Sequence, residues 1–170
     1  MDVRARFLIS GTLVGGTLLT LLGFVTAGML PPRYKAFTDP RAVAGTIRAN
    51  APTNDIYTSP DGLFVAVSLR PPGAPRSRFG PRLAAQIGVE FAVAFLLAVL
   101  VLAFGRRSAT IAAGVLALTG FAAGLEVHFA EWNFAGFPTA HFLAGVGYLS
   151  ANWFITGFVL GALHRKLVVG

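Results

Sequence analysis

The sequence predicts an all-α membrane fold, with four transmembrane helices in an antiparallel bundle and a small α/β cap between the first and second of them. Of the 170 residues, 55% are apolar and only 12% are charged, whereas a globular chain carries about 25% charged residues. The apolar residues are gathered in four long blocks, and most of the charged residues lie between the blocks. These observations argue against a soluble enzyme, a coiled coil and a disordered chain.

The charge balance is basic, with 14 lysines and arginines against 7 acids and a formal net charge of +7. Nucleic-acid binding would place the basic residues along one stripe. Here they flank the apolar blocks, where such residues set membrane topology. The expected partner is therefore the lipid bilayer and not nucleic acid. The chain has no cysteine, which excludes disulfides, thiolate metal sites and a cysteine nucleophile.

Each apolar block is long enough to cross a membrane. About 20 residues, each rising 1.5 Å, span the roughly 30 Å hydrocarbon core. The predicted spans are residues 7–30, 81–104, 109–131 and 139–163. The first span follows two arginines, as in a signal peptide, but its apolar run is about twice the length of such a segment, so we expect a retained anchor.

The basic residues near the span ends predict the orientation. Three tight basic pairs fall on one side of the membrane, and the connection between the third and fourth spans has no basic residue. Residues 31–80 carry seven, but a segment able to fold can be translocated despite its charge. We therefore expect a bacterial inner-membrane protein with both termini cytoplasmic and residues 31–80 outside. The pairs are Arg4 and Arg6, Arg106 and Arg107, and Arg165 and Lys166.

The chain accordingly divides into residues 1–30, a cap at residues 31–80, and residues 81–170. In the cap, Asp39 and Pro40 suit the N-cap and first position of a helix of about ten residues. A hairpin follows, with a type I turn at residues 59–62. Because so small a cap buries too little apolar surface to be stable alone, we expect it to rest on the helix ends or on a partner.

Small residues recur at a spacing of four on every predicted span. Lipid tails are as apolar as leucine, so membrane helices associate where small residues let the backbones approach. A single pair means little, because glycine and alanine are common in membrane helices. Pairs on all four spans favour a tight bundle or docking to other subunits. The positions are Gly11 and Gly15, then Ala84, Gly88 and Ala92, then Gly120 and Gly124, then Gly157 and Gly161.

Polar side chains also lie within or beside the spans, where a charged group costs roughly 2.5–3.5 kcal/mol to insert. The acids and imidazoles among them fall in the outer half of the membrane. They could hold a divalent metal, relay protons, or ligate a tetrapyrrole through a histidine. The favoured interpretation is structural pairing or snorkelling to the surface. These residues are Glu90, Glu126, His128, Glu131, His141 and Asn152.

Helical spacing narrows these alternatives. Glu126 and His128 point about 200° apart on a helix and cannot serve one small site, whereas His128 and Glu131 can share a face. The chain lacks the repeated Glu-x-x-His motif of a di-metal site, so no residue is assigned as a metal ligand. His128 and His141, at similar depth on consecutive spans, are the candidates for binding a pigment or haem.

Glu90 is the deepest of these groups, about 13 Å from the outer surface at 1.5 Å per residue. It could belong to a proton or ion pathway. The slightly favoured alternative is a protonated carboxyl that is hydrogen-bonded to Gln86, Tyr148 or Asn152.

The connection between the third and fourth spans is aromatic. Trp132, Phe134 and Phe137 suit an interfacial belt, and Gly136 with Pro138 suits a tight turn between antiparallel helices. A quinone or pigment edge could rest on such rings, although anchoring the hairpin is their commoner role. The sequence has no phosphate-binding loop, dinucleotide fingerprint, zinc-protease motif or nucleophile elbow.

Two segments resemble those of a family of small bacterial four-helix integral membrane proteins with a short extracytoplasmic cap, to which no function is attached. The resemblance covers nearly the whole chain, although Asp55 stands where the family pattern has glycine. It implies the fold described above and no reaction or cofactor. The segments are Ile47 to Pro52 followed by Ile56, Tyr57 and Pro60, and Trp132 to Pro138.

The expected function is that of a non-catalytic accessory or structural subunit of a larger membrane complex, of the respiratory or photosynthetic type. Small helical subunits are common in such complexes, so this expectation is an analogy. Other integral membrane subunits would be the partners. One alternative is a small membrane enzyme or a proton or ion transporter that uses Glu90 with His128 or His141. Another is a pigment- or haem-binding protein.

Overall fold

A computed structural model describes residues 2–29, 37–51, 53, 55–62, 64–67, 79–104 and 108–169. The elements in these ranges are α1 (Val3–Met29), α2 (Pro40–Asn50), β1 (Ile56–Thr58), β2 (Phe64–Ala66), α3 (Phe79–Ala103), α4 (Ala109–Ala135) and α5 (Thr139–His164). A π-helix, Arg165–Val169, continues α5. Helices α1, α3, α4 and α5 are long and apolar enough to cross a membrane. The chain is therefore a multi-pass membrane protein of the predicted fold class.

The chain separates into two compact units. The larger contains the four long helices, and the smaller, within residues 33–78, contains α2 and the two strands. In the smaller unit, the Asp39 carboxylate caps α2 by accepting hydrogen bonds from the amides of Arg41 (2.9 Å) and Ala42 (3.0 Å). Pro40 occupies the first position of α2, so this helix begins where the sequence predicts.

The two strands of the smaller unit form the predicted hairpin. They pair antiparallel, with Tyr57 opposite Val65. The Gly62 amide donates to the Ser59 carbonyl across the turn at 3.0 Å. Gly62 has a φ of +82°, a conformation that glycine adopts without strain because it lacks a Cβ.

In the larger unit, α1 and α3 pack antiparallel through small residues. A Cβ on Gly11 would lie 3.2 Å from the Cβ of Ala98, and a Cβ on Gly15 would lie 3.1 Å from the Cβ of Ala94. Both glycines also face Leu160 of α5, which is fully buried. The predicted glycine pair on α1 thus lies where three helices meet.

Helices α4 and α5 form the closest pair. A Cβ on Gly120 would lie 2.8 Å from the Leu149 carbonyl oxygen, and one on Gly124 would lie 2.9 Å from the Cα of Val146. Across the same interface, a Cβ on Gly157 or Gly161 would lie 2.8–3.0 Å from backbone atoms of residues 109–113 of α4. These four predicted glycines all lie at a contact between helices.

Gly88 lies on the outside of the described helices. It is exposed, and a Cβ placed on it would meet no described atom within 4 Å. The α3 side chains that face the glycines of α1 include Phe91, Ala94 and Ala98. Because Ala92 and Ala94 are two residues apart, they point about 200° apart on the helix, and the predicted small-residue face turns away from α1.

The antiparallel packing gives the larger unit two ends. At one, which we call the terminal end, Phe7 of α1 meets His164 of α5 edge to face, with ring centroids 5.0 Å apart. His164 is only 2% exposed there. At the other, the hairpin end, a short turn joins α4 to α5.

Candidate metal centre at the hairpin end

The turn between α4 and α5 contains only residues 136–138. Gly136 has a φ of +69°, the left-handed conformation that commonly ends a helix. The Phe137 amide donates to the Glu131 carbonyl at 3.2 Å, which satisfies one of the free carbonyl groups at the end of α4. This tight ending brings the last turns of α4 against the first turns of α5.

Two imidazoles and one carboxylate meet beside this turn. His128 Nδ1 lies 2.8 Å from Glu131 Oε2, one turn further along α4. His141, in the first turn of α5, places its Nε2 3.5 Å from the same oxygen. The two imidazole rings meet edge to face with centroids 5.8 Å apart. We call these three residues the histidine cluster.

The His128 ring can pack against α5 because residue 145 of that helix is glycine. A Cβ on Gly145 would lie 2.5 Å from both Cδ2 and Nε2 of that ring, which is closer than real contacts come. Gly124, about one turn before His128, allows the backbone of α4 to approach Val146 in the same way. Small residues on both helices therefore set the separation at which the histidine cluster forms.

An aromatic group braces the adjoining face of the hairpin. The rings of Trp132 and Phe142 stack with centroids 5.7 Å apart, and Phe129 packs against both. The Trp132 indole N–H donates to Thr139 Oγ1 at 3.1 Å. Trp132 directly follows Glu131, and Thr139 lies two residues before His141. These contacts therefore hold together the segments that carry Glu131 and His141.

The histidine cluster is partly open to its surroundings. The side chains of His128, Glu131 and His141 are 23%, 40% and 32% exposed. Their potential ligand atoms all lie within 4.8 Å of one another. In a tetrahedral zinc site with bonds of 2.0–2.1 Å, neighbouring ligand atoms are separated by about 3.3 Å. A small rearrangement, in which His141 moves inward and the hydrogen-bonded atoms of His128 and Glu131 separate slightly, would bring all three donor atoms to one ion.

The remaining predicted acids lie outside the cluster. Glu90 accepts a hydrogen bond at 2.7 Å from the side-chain amide of Gln86, one turn earlier on α3, and Gln86 is one of its three predicted partners. Glu126 is exposed and makes no hydrogen bond or ion pair with any residue that the structure describes.

The other two predicted partners of Glu90 have different surroundings. The Tyr148 hydroxyl is hydrogen-bonded to the hydroxyl of Thr26 on α1. Asn152 is 7% exposed and lies one turn before Thr156, whose buried hydroxyl has no hydrogen-bond partner among the described residues. Among the described residues, no hydrogen bond joins Glu90 to Tyr148 or to Asn152.

The sequence does not directly predict that both histidines meet at Glu131. Helical spacing puts His128 and Glu131 on one face and span length puts His128 and His141 at one depth, but neither pattern alone brings the three side chains together. Glu131 lies five residues before Gly136 and His141 five residues after it. In a tight antiparallel hairpin, positions equally far from the turn lie at the same level, so this symmetry was the available signal.

Comparisons of the chain with protein-family models, with curated proteins and with solved structures found no match. The family resemblance stays a prediction, and the chemistry of the histidine cluster is interpreted from its own geometry.

Proposed function

We propose that this protein is a non-catalytic accessory subunit of a larger integral membrane complex in a bacterial inner membrane. The observation that supports this role is a small-residue face on α3 that is exposed in the structure. Ala84, Gly88 and Ala92 lie four residues apart and are all exposed. In a bilayer, such a face allows the backbone of another helix to approach closely.

The contrast with other outward positions strengthens the proposal. Leu118, Phe121 and Leu143 also point outward and are 70%, 46% and 62% exposed, and such large apolar side chains suit contact with lipid tails. Contact with lipid does not require small side chains, because lipid tails pack well against large apolar ones. A row of small side chains is therefore better explained by the close approach of a neighbouring helix. The expected partner is therefore a membrane-spanning helix of another subunit.

The proposed orientation has both termini in the cytoplasm. In the described part of the larger unit, Arg4, Arg6, Arg165 and Lys166 flank the terminal end, whereas Arg82 alone is basic near the hairpin end. The positive-inside rule then favours a cytoplasmic terminal end. By connectivity, residues 31–80 and the histidine cluster would lie on the outer side.

Purification from the native membrane in a mild detergent tests the accessory role. We expect the protein to co-purify with other integral membrane proteins, identified by mass spectrometry. The double variant Gly88→Leu/Ala92→Leu should lose those partners, because leucine side chains would hold the partner helix away. Its own helix packing should remain, since a Cβ at Gly88 meets no described atom.

The control is Leu118→Trp, a bulky change at an outward position of α4, on a different helix from the small-residue face. Leu118 is 70% exposed, and this variant should keep the partners. A wild-type protein that purifies alone would contradict the accessory role. Equal recovery of partners by the wild type and the double variant would contradict docking through this face.

A ligand-binding role at His128 and His141 is the second candidate, favoured by their meeting at Glu131. A pathway through Glu90 has less support, since the Glu90 carboxylate pairs with Gln86 on its own helix and lies outside the histidine cluster.

A further inference from the structure

We infer that His128, Glu131 and His141 bind one divalent transition-metal ion of the zinc type at the hairpin end. This inference goes beyond the proposed accessory role and does not depend on it.

The arrangement of the three donors carries the inference. They come from two helices, and both imidazoles turn a nitrogen towards the same carboxylate oxygen, at 2.8 Å for His128 and 3.5 Å for His141. One carboxylate offers a single negative charge to two imidazoles. A cation between the three groups would bond to all of them at once.

Within the histidine cluster, His141 makes the weaker contact with Glu131. Its Nε2 lies 3.5 Å from Glu131 Oε2, too far for a good hydrogen bond. Within the described ranges, its side chain makes no hydrogen bond. The 3.5 Å separation of this imidazole nitrogen from the carboxylate oxygen is instead close to the roughly 3.3 Å between neighbouring ligand atoms of a tetrahedral zinc ion.

The donor set selects the class of metal. Imidazole nitrogen suits zinc, copper, nickel and iron, whereas magnesium and calcium prefer six or more oxygen ligands. Two imidazoles and one carboxylate form a donor set of zinc sites that retain an open position. The 23–40% exposure of these side chains leaves that position accessible to water or to an external ligand.

The hairpin also holds in place the two segments that carry the donors. Gly145 accommodates the His128 ring, and the hydrogen bond from Trp132 to Thr139 ties together the segments that hold Glu131 and His141. Contacts of this kind orient the ligands of a metal and typically change its affinity 10–100-fold when they are lost.

A metal titration of the tag-free protein in detergent tests the inference, with Zn²⁺ and Co²⁺ as probes. The chain has no cysteine and three histidines, and the third, His164, is 2% exposed at the opposite end. We expect one ion per chain by equilibrium dialysis and elemental analysis. Glu131→Gln and His141→Gln should each weaken Zn²⁺ binding by about 100-fold or more. Losing a group that only supports a ligand costs up to about 100-fold in metal affinity, and losing a ligand itself should cost at least as much.

Glu126→Gln is the matched control, because it changes a carboxylate on the same helix that faces away from the cluster. It should leave the affinity unchanged, and a large excess of Mg²⁺ should not displace the bound ion. A wild-type protein that binds no Zn²⁺, or equal affinities for Glu131→Gln and Glu126→Gln, would overturn the inference.

The wild-type protein alone provides a second measurement if a variant fails to fold. Loading with Co²⁺ should produce the intense visible bands of a four- or five-coordinate ion with nitrogen ligands. Only the weak bands of hydrated Co²⁺ would overturn the inference. Neither outcome bears on co-purification, so the metal site and the accessory role can fail separately.

Discussion

At the scale of single residues, the histidine cluster depends on one glycine as much as on its donors. The His128 ring lies where a Cβ of residue 145 would be, so its position requires glycine there. The sequence predicts that His128 and Glu131 share a face, because helical spacing alone decides this. It does not reveal the role of Gly145, because that role depends on the rotation and separation of two helices.

Gly145→Ala should displace the His128 ring from its place beside Glu131. The ring must rotate away because the new methyl group would lie 2.5 Å from it. We expect the Zn²⁺ affinity of the protein to fall by about 10-fold or more, measured by the same titration.

Gly147→Ala is the control for this prediction, since a Cβ at Gly147 meets no described atom within 4 Å. It should bind Zn²⁺ as the wild type does. An unchanged affinity in Gly145→Ala would show that the position of the His128 ring does not matter for binding.

At the scale of helices, α4 and α5 pack so closely at their glycines that a Cβ there would meet backbone atoms of the facing helix. The sequence identifies these glycines because their spacing of four is a local pattern. On α3, small residues lie on two faces: Ala94 and Ala98 face α1, and Gly88 lies on the exposed face. The spacing alone does not decide which face packs against α1, because that depends on how the helix is rotated.

Gly120→Ala should destabilise the hairpin by about 1–3 kcal/mol, the usual cost of overpacking. A methyl group there would lie 2.8 Å from the Leu149 carbonyl oxygen, and a backbone atom moves only if the helices separate. The free energy of unfolding can be measured by titrating mixed detergent micelles with dodecyl sulfate.

Gly114→Ala, on the same helix but with no described atom within 4 Å of its Cβ, provides the comparison. It should be neutral or up to about 1 kcal/mol more stable, because alanine is the better helix former. Equal stabilities of the two variants would contradict the close contact between α4 and α5.

At the scale of the whole molecule, four antiparallel spans determine which features share a side of the membrane. The apolar blocks predict the number of spans well, since span length is fixed by bilayer thickness. Contacts between side chains of different helices are harder to predict, because the sequence does not specify how each helix is rotated about its axis. Under the proposed orientation, Asp61 and Asn133 are on the outer side of the membrane and Asp2 is on the cytoplasmic side.

The most direct test of this topology is labelling of single cysteines in intact spheroplasts with a membrane-impermeant maleimide. The natural chain has no cysteine, so Asp2→Cys, Asp61→Cys and Asn133→Cys, all at exposed positions, each report one location without background. We expect Asp61→Cys and Asn133→Cys to be labelled in intact spheroplasts, and Asp2→Cys to be labelled only after permeabilisation. Labelling of Asp2→Cys together with Asp61→Cys in intact spheroplasts, or opposite accessibility of Asp61→Cys and Asn133→Cys, would contradict the four-span topology.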